Sequence, residues 1–269
     1  MTPAELKANF DADGYLVVPD VLTGDALAEL RTMVDRVLDG DLPPQHRNRG
    51  GSLDDYDIQW EPGLQYDVTL PRRERVRVVF HLCHTHEFFW RHATRPEILD
   101  VVEALIGPDI TLYTDQMFVK PARHGTEVPF HQDSGYWPWA DPPHLLSCWF
   151  AIDDVTMENG CVHMLPGSHK ALLPHRHFEG PQSHGLLESD VDASRETPIE
   201  MAAGSMCIHH SLTVHRSFAN RSDRGRRGLV TIYLPSSLRV DRDWDFPFGF
   251  KTLRGRSLDE CAAQGPQQA

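Results

Sequence analysis

The chain has 269 residues, 40% of them hydrophobic and 24% charged, which is typical of one large globular domain. Its formal net charge of -13 at pH 7 argues against non-specific binding to nucleic acid, which needs a basic surface. Five scattered cysteines without a Cys-x-x-Cys pair argue against a disulfide framework and a thiolate zinc site.

The first 40 residues predict a helix, a strand and a second helix. The strand is the apolar run Gly14–Pro19, and Thr23 is the expected N-cap of a helix whose apolar residues recur at helical spacing up to Leu38. The polar stretch 43–70 predicts a long irregular loop, of a length that often forms a lid or a binding element. Residues Arg95–Ile106 predict another amphipathic helix, which ends before Gly107.

After this helix the pattern changes to about seven short strands separated by turn-rich segments. They are predicted at Ile110–Lys120, Val128–His131, Leu145–Ile152, Cys161–Leu165, Pro198–Met201, Ser205–His210 and Leu229–Leu234. Helices followed by short strands are typical of an α+β chain with a β-sandwich or jelly-roll core. Of these we expect a double-stranded β-helix (jelly-roll, cupin-like) core with flanking N-terminal helices.

We therefore expect one domain over residues 1–269. Its parts are a mostly helical region with the long loop at 1–108, the jelly-roll core at 109–235 and a C-terminal extension at 236–269, frayed after Arg256. The apolar runs are too short to span a bilayer, and residues 1–10 lack the apolar stretch of a signal peptide. We expect a cytoplasmic protein without a membrane partner; the sequence leaves the oligomeric state open, a monomer included.

The segment Val128-Pro129-Phe130-His131-Gln132-Asp133 carries the first sign of chemistry. In an extended chain, residues i and i+2 lie on one face, so His131 and Asp133 can reach the same ion. A His-x-Asp pair is frequent by chance. Two histidines and one carboxylate, however, form the facial triad of non-haem Fe(II) oxygenases.

The third ligand must come from elsewhere in the chain. His209, His210 and His215 lie at or just after a predicted strand, and all three are candidates. Four arginines, Arg221, Arg224, Arg226 and Arg227, precede the last predicted strand. Because the guanidinium fork binds a carboxylate bidentately, one of them is expected to anchor a dicarboxylate cosubstrate.

These segments resemble the phytanoyl-CoA dioxygenase family of Fe(II)/2-oxoglutarate oxygenases. Four blocks match in order, and Asp13–Val18 is also similar to the start of the family. The blocks are Phe118–Pro121, then Pro129–Asp133 with the aromatic Tyr136–Trp139, then Glu158–Lys170, and finally His215–Ser217 with Asn220 and Arg226. The resemblance extends from about residue 10 to 235.

The resemblance implies that His131, Asp133 and His215 bind Fe(II). Arg226, eleven positions after His215, would hold the far carboxylate of 2-oxoglutarate. Trp149 and Ser217 would also contact the cosubstrate, with Gln116 and Lys120 as secondary candidates.

The reaction that the resemblance implies consumes 2-oxoglutarate and O2, releases succinate and CO2, and hydroxylates an unactivated C–H bond. Related halogenases lack the carboxylate ligand, so Asp133 points to oxygenation. The sequence does not distinguish hydroxylation from desaturation or cyclisation, and it does not identify the carbon attacked.

Aromatic residues bear on the substrate. Tyr136, Trp137 and Trp139 are expected to form one wall of its pocket, with Trp60 in a lid; Phe246, Phe248 and Phe250 could join that lid, and residues 169–195 read as another lid. Such rings suit a bulky apolar or ring-containing small molecule, although half of them could equally be core.

Three alternatives remain open. Six arginines (Arg47, Arg49, Arg72, Arg73, Arg75 and Arg77) would suit the phosphates of a fatty acyl-CoA, or they form a solvated basic stretch. The second alternative is a non-catalytic metal-binding jelly-roll protein. The third is a cupin oxygenase that does not use 2-oxoglutarate.

Overall fold

Six helices and sixteen strands make up the computed structural model, which describes residues 1–141, 144–177, 184–241 and 243–263. The helices are α1 (Pro3–Asp13), α2 (Gly24–Asp39), α3 (Leu82–Thr85), α4 (Glu87–Ala93), α5 (Pro96–Ile106) and α6 (Leu258–Ala263). The strands are β1 (Tyr15–Val18), β2 (Asp57–Trp60), β3 (Val76–Phe80), β4 (Ile110–Lys120), β5 (Val128–His131), β6 (Ala140–Asp141), β7 (Leu146–Ala151), β8 (Val162–Met164), β9 (Arg176–His177), β10 (His184–Gly185), β11 (Thr197–Ile199), β12 (Met206–His210), β13 (His215–Ser217), β14 (Arg226–Pro235), β15 (Arg239–Val240) and β16 (Lys251–Arg254).

Two antiparallel sheets form the centre of the molecule. The larger has eight strands in the order β1-β12-β7-β14-β4-β3-β2, with β16 also paired to β4. The smaller has four strands in the order β11-β8-β13-β5. Residues of both sheets line one central cavity. This arrangement confirms the predicted α+β fold with a double-stranded β-helix core.

The N-terminal helices cover the outer face of the large sheet. In α1 the start is fixed by a capping box, in which Thr2 and Glu5 satisfy each other's backbone N–H groups. The buried residues of α2 and α5 belong to the same apolar core as Phe150 and Leu229 of the sheet. Thr23 does stand at the N-cap of α2, but its side chain makes no capping hydrogen bond.

The long loop predicted at 43–70 is partly wrong, because it contains β2, which pairs with β3 and extends the large sheet. The tail after Arg256, expected to be frayed, forms α6 before the described residues end. Residues 178–183 of the second expected lid and residues 264–269 of the tail lie outside the described residues. Within the described ranges, no helix is both long and apolar enough to cross a membrane.

Candidate active site

Strand pairing brings together the two histidines that the sequence singles out. β5 and β13 are antiparallel neighbours in the small sheet, and His131 and His215 are direct Cα partners. Side chains at paired positions of antiparallel strands lie on the same face. The two imidazole rings accordingly have their centroids 4.0 Å apart.

Asp133 completes this cluster from the turn that follows β5. Its Oδ1 lies 3.7 Å from Nε2 of His131 and 3.7 Å from Nε2 of His215. Two atoms that each bind an ion at about 2.1 Å can be at most about 4.2 Å apart, so these separations fit a single metal. It is the one such His/Cys/Asp/Glu cluster among the described residues.

The hydrogen bonds of His131 and His215 leave Nε2 of each ring free to bind a metal. Nδ1 of His131 lies 2.9 Å from the carbonyl oxygen of Pro129, and Nδ1 of His215 lies 2.9 Å from that of Thr213. A carbonyl only accepts, so Nδ1 carries the proton and Nε2 keeps its lone pair. Burial lowers the pKa of both imidazoles, which favours the neutral form that binds metals.

The carboxylate is held ionised. Burial by itself raises the pKa of Asp133, but its pKa nevertheless lies well below the ordinary value, and the hydrogen bond from His209 is the main cause of the lowering. Its second oxygen, Oδ2, accepts hydrogen bonds from Ser147 Oγ at 2.6 Å and from His209 Nε2 at 3.0 Å. The charged carboxylate is therefore the stable form at neutral pH.

The three candidate histidines thus have three different environments. His215 joins the cluster, and His209 contacts the far oxygen of Asp133. The ring of His210 instead packs near Phe10, and its Nδ1 accepts from the backbone N–H of Leu212. Sequence reasoning missed the contact of His209, although its position one residue before His210 implies the opposite face of the strand.

Arg226 is the first residue of β14, where it pairs with Lys120 of β4. Its side chain lines the cavity although the residue is only 2% exposed. Nη2 donates to the carbonyl of Gly160 at 2.6 Å, and Nε has no hydrogen-bond partner among the described residues. Burial lowers the pKa of the guanidinium to about 10, so it remains charged at neutral pH.

The Trp149 ring lies beside this guanidinium, with 5.1 Å between the Arg226 Cζ atom and the ring centroid. Gly228 makes room for the ring, since a Cβ there would lie 2.1 Å from the Trp149 Cζ2 atom. Ser217 and Gln116 also line the cavity. The structure therefore places all of these predicted cosubstrate residues around one space.

Lys120 lines the same cavity, but its ammonium group is already engaged. Nζ donates to the carbonyls of Thr126 and Phe218 at 2.5 and 2.8 Å. Burial, together with the charge of Arg226, holds the pKa of Lys120 well below its ordinary value.

The cavity has a volume of about 330 Å³, and Tyr136 and Trp137 line it as expected. Trp139 and Trp60 lie elsewhere. The Trp139 ring packs on Tyr113, with centroids 4.6 Å apart. The guanidinium carbons of two arginines lie 5.4 Å from the Trp60 ring centroid.

The sequence did not indicate several residues of the cavity wall, because they come from β2, β3 and their flanks. These are Gln59, Glu61, Val78 and Phe80; Arg77 also lines the cavity, but the sequence indicated it only as a candidate for acyl-CoA phosphates. Of the late phenylalanines expected in a lid, Phe246 and Phe248 pack on histidines that follow β3; Phe248, for example, stacks on His84 at 4.9 Å between centroids. Phe250 instead packs on Tyr113, with 5.5 Å between centroids.

Comparisons with known proteins agree with the chemistry of this site. Residues 10–228 match the sequence profile of the family described as phytanoyl-CoA dioxygenase (PhyH). The chain is 26% identical over 246 residues to the peroxisomal phytanoyl-CoA dioxygenase of Rattus norvegicus, which covers 85% of this chain and 67% of that protein.

Two solved structures share the fold at less than 25% identity. The apo form of the non-heme monooxygenase ThoJ has a TM-score of 0.70 and 23% identity, over 94% of this chain and 84% of the other. The epimerase SnoN in complex with Fe3+, alpha ketoglutarate and nogalamycin RO has a TM-score of 0.67 and 23% identity, over 91% and 90%.

Proposed function

The chain belongs to the phytanoyl-CoA dioxygenase family of Fe(II)/2-oxoglutarate-dependent oxygenases, and from that premise we propose that it hydroxylates an unactivated C–H bond of a small molecule. One observation carries this proposal. The cluster of His131, Asp133 and His215 lies in the wall of the same cavity as the buried cation of Arg226. A metal and a dicarboxylate can therefore share this cavity.

We assign the iron to the three clustered side chains. Two neutral imidazoles and one carboxylate suit Fe(II) and leave coordination positions open for further ligands. When bound, Fe(II) with 2-oxoglutarate and O2 supplies the oxidising chemistry, which yields succinate, CO2 and the hydroxylated substrate. Pro129 and Thr213 contribute by fixing the proton on Nδ1 of each histidine, so that Nε2 faces the ion.

We assign the far carboxylate of 2-oxoglutarate to Arg226. A guanidinium has five N–H donors, and Nε of Arg226 is buried without a partner among the described residues. A carboxylate there would satisfy that donor. The hydroxyl of Ser217 is a second donor, and the Trp149 ring forms the side of this subsite. Lys120 and Gln116 remain secondary candidates.

The size and lining of the cavity favour a small substrate. A volume of about 330 Å³ is at the lower end of the range for ligand pockets, and it must also accept the cosubstrate. Tyr136 and Trp137 offer aromatic surface, whereas Gln59 and Glu61 offer polar groups. We propose a substrate with both a ring or apolar part and a polar group.

The acyl-CoA alternative has less support from the contacts. It needs free cations for the phosphates, but several early arginines are paired with carboxylates. Arg72 bonds to Asp55 at 2.7 Å, and Arg73 pairs with Asp39. An arginine that is already paired with a carboxylate presents less net positive charge to a phosphate.

Succinate formation tests the proposal. The protein, supplied with Fe(II), 2-oxoglutarate and O2, should release succinate slowly on its own and faster with a true substrate. Loss of a charge-assisted hydrogen bond costs about 1.5–3 kcal/mol, so Arg226→Ala should raise the KM for 2-oxoglutarate about 10- to 100-fold. Arg224→Ala, an exposed neighbour, is the matched control and should behave like the parent protein.

Two outcomes would contradict this assignment. If Arg226→Ala keeps the parent KM, the cosubstrate is not bound as proposed, and an oxygenase that does not use 2-oxoglutarate becomes the better explanation. If no succinate forms with any substrate tried, the protein is better described as a metal-binding jelly-roll without turnover.

A further inference from the structure

We infer that Ser147 and His209 are positioning residues that restrict Asp133 to binding the metal through a single oxygen, Oδ1. The inference rests on the proposed function, because it takes Asp133 to be an iron ligand. It adds two residues outside the three-ligand cluster and gives each a definite task.

Strand register explains how the two donors converge. Ser147 of β7 and His209 of β12 are direct Cα partners in the large sheet. Their side chains therefore leave the sheet on the same face. Both reach Oδ2 of Asp133, Ser147 Oγ at 2.6 Å and His209 Nε2 at 3.0 Å.

The two oxygens of Asp133 have different surroundings. Oδ1 lies 3.7 Å from the Nε2 atoms of His131 and His215, so it faces the candidate metal position. Oδ2 is the oxygen that accepts both hydrogen bonds. Because Ser147 and His209 are both buried, water competes poorly for these two bonds, and the carboxylate is held against rotation.

The second ring nitrogen of His209, Nδ1, is left in an unfavourable environment by this arrangement. A carboxylate only accepts, so Nε2 of His209 carries the proton. Its Nδ1 is buried without a partner among the described residues. An apolar side chain would avoid the unpaired nitrogen, so the bond to Asp133 is the physical reason for a histidine at this position.

The consequence concerns the coordination positions that remain. A carboxylate that is free to rotate can offer both oxygens to one metal ion. The second oxygen would then take a position that the cosubstrate or O2 requires. Partners that orient metal ligands typically change metal affinity by about 10- to 100-fold when they are removed.

Metal binding by the full-length protein tests the inference without relying on turnover. Mn(II) affinity can be measured from the EPR signal of the free ion, and Co(II) absorption in the visible range reports the coordination of the bound ion. Ser147→Ala and His209→Leu should each weaken Mn(II) binding by about 10-fold or more and change the Co(II) spectrum. His209→Gln, which retains an N–H donor, should recover most of the affinity.

His210→Asn is the matched control. His210 is the next residue of β12, it is buried, and it does not contact Asp133; an asparagine can still accept from the backbone N–H of Leu212. This variant should bind Mn(II) like the parent protein. If it loses as much affinity as His209→Leu, the effect comes from damage to the strand, and the inference is wrong.

The remaining outcomes separate this inference from the proposed function. If the parent protein binds Mn(II) and forms succinate while both Ser147→Ala and His209→Leu retain parent affinity and spectrum, only the inference fails. If the parent protein neither binds Mn(II) nor forms succinate, the proposed function fails. Should His209→Leu not fold, the affinity of Ser147→Ala decides.

Discussion

A methyl group at position 228 should weaken binding of 2-oxoglutarate. Gly228 lies two residues after Arg226 on β14, and a Cβ there would lie 2.1 Å from Cζ2 and 2.3 Å from Cε2 of Trp149. Ordinary contact begins at 3.4 Å, so the indole ring must retreat by more than 1 Å. The backbone of Gly228 does not have a positive φ, so strain in the strand does not contribute.

The magnitude follows from the contact that is lost. The Arg226 guanidinium lies 5.1 Å from the Trp149 ring centroid, within the range of a cation–π interaction, which is worth about 0.5–2 kcal/mol. Displacing the ring removes that support from the arginine assigned to the cosubstrate. Gly228→Ala should therefore raise the KM for 2-oxoglutarate by about 2- to 30-fold.

Initial rates of succinate formation at varied 2-oxoglutarate concentration measure this effect. Gly225→Ala is the control, because the nearest atom to its added Cβ is 3.7 Å away, and it should retain the parent KM. A folded Gly228→Ala protein with the parent KM would show that Trp149 has no part in the cosubstrate subsite. An equal rise of KM in both variants would show that the effect comes from a disturbed start of β14 and not from the Trp149 ring.

Two further predictions concern stability. Ile98 of α5 is fully buried, so Ile98→Ala should lower the free energy of unfolding, measured in urea, by about 2–5 kcal/mol. Glu97 is exposed, and Glu97→Ala should change the free energy of unfolding by less than about 0.5 kcal/mol. Similar values for the two variants would contradict the packing of α5. Burial raises the pKa of Asp115 from 3.8 to about 7. The stability conferred by its protonated form is therefore present in full below about pH 4 and is lost as the pH rises to about 7. Asp115→Asn imitates the protonated form, so its stability relative to the parent protein should increase by up to about 3 kcal/mol between pH 5 and pH 8; a difference that does not vary with pH would refute the raised pKa.

Local periodicity predicts much of the core and part of the site. His131 ends β5 and the extended Gln132 follows it, so the i and i+2 spacing of His131 and Asp133 places the two side chains together. The choice of His215 over His209 is not local. Both histidines face the same cavity from different sheets, and the distinction depends on the strand paired with β5. Only the spacing typical of the family favours His215 in the sequence.

The strands that the sequence missed depend on distant partners. β2 and β3 lie within or next to a polar region, and they are held as strands by distant pairing, because β3 pairs with β4 and β2 pairs with β3. Trp60 illustrates the result. In the sequence it is an aromatic residue in a loop, whereas in the structure it ends β2 and packs beside Arg72 and Arg75. No local pattern distinguishes these two roles.

The charge of the cavity reconciles an acidic chain with an anionic cosubstrate. The chain has a formal net charge of -13, yet three buried basic side chains, Arg226, Lys120 and Arg77, line the same cavity. Burial lowers the pKa of all three groups. For Lys120, the charges of the two arginines lower the pKa further. Glu61 offsets this charge, since it pairs with Arg77 at 3.5 Å and raises its pKa. A dicarboxylate at Arg226 would reduce the remaining repulsion among these basic side chains. The negative net charge of the chain therefore does not oppose binding of 2-oxoglutarate inside the cavity.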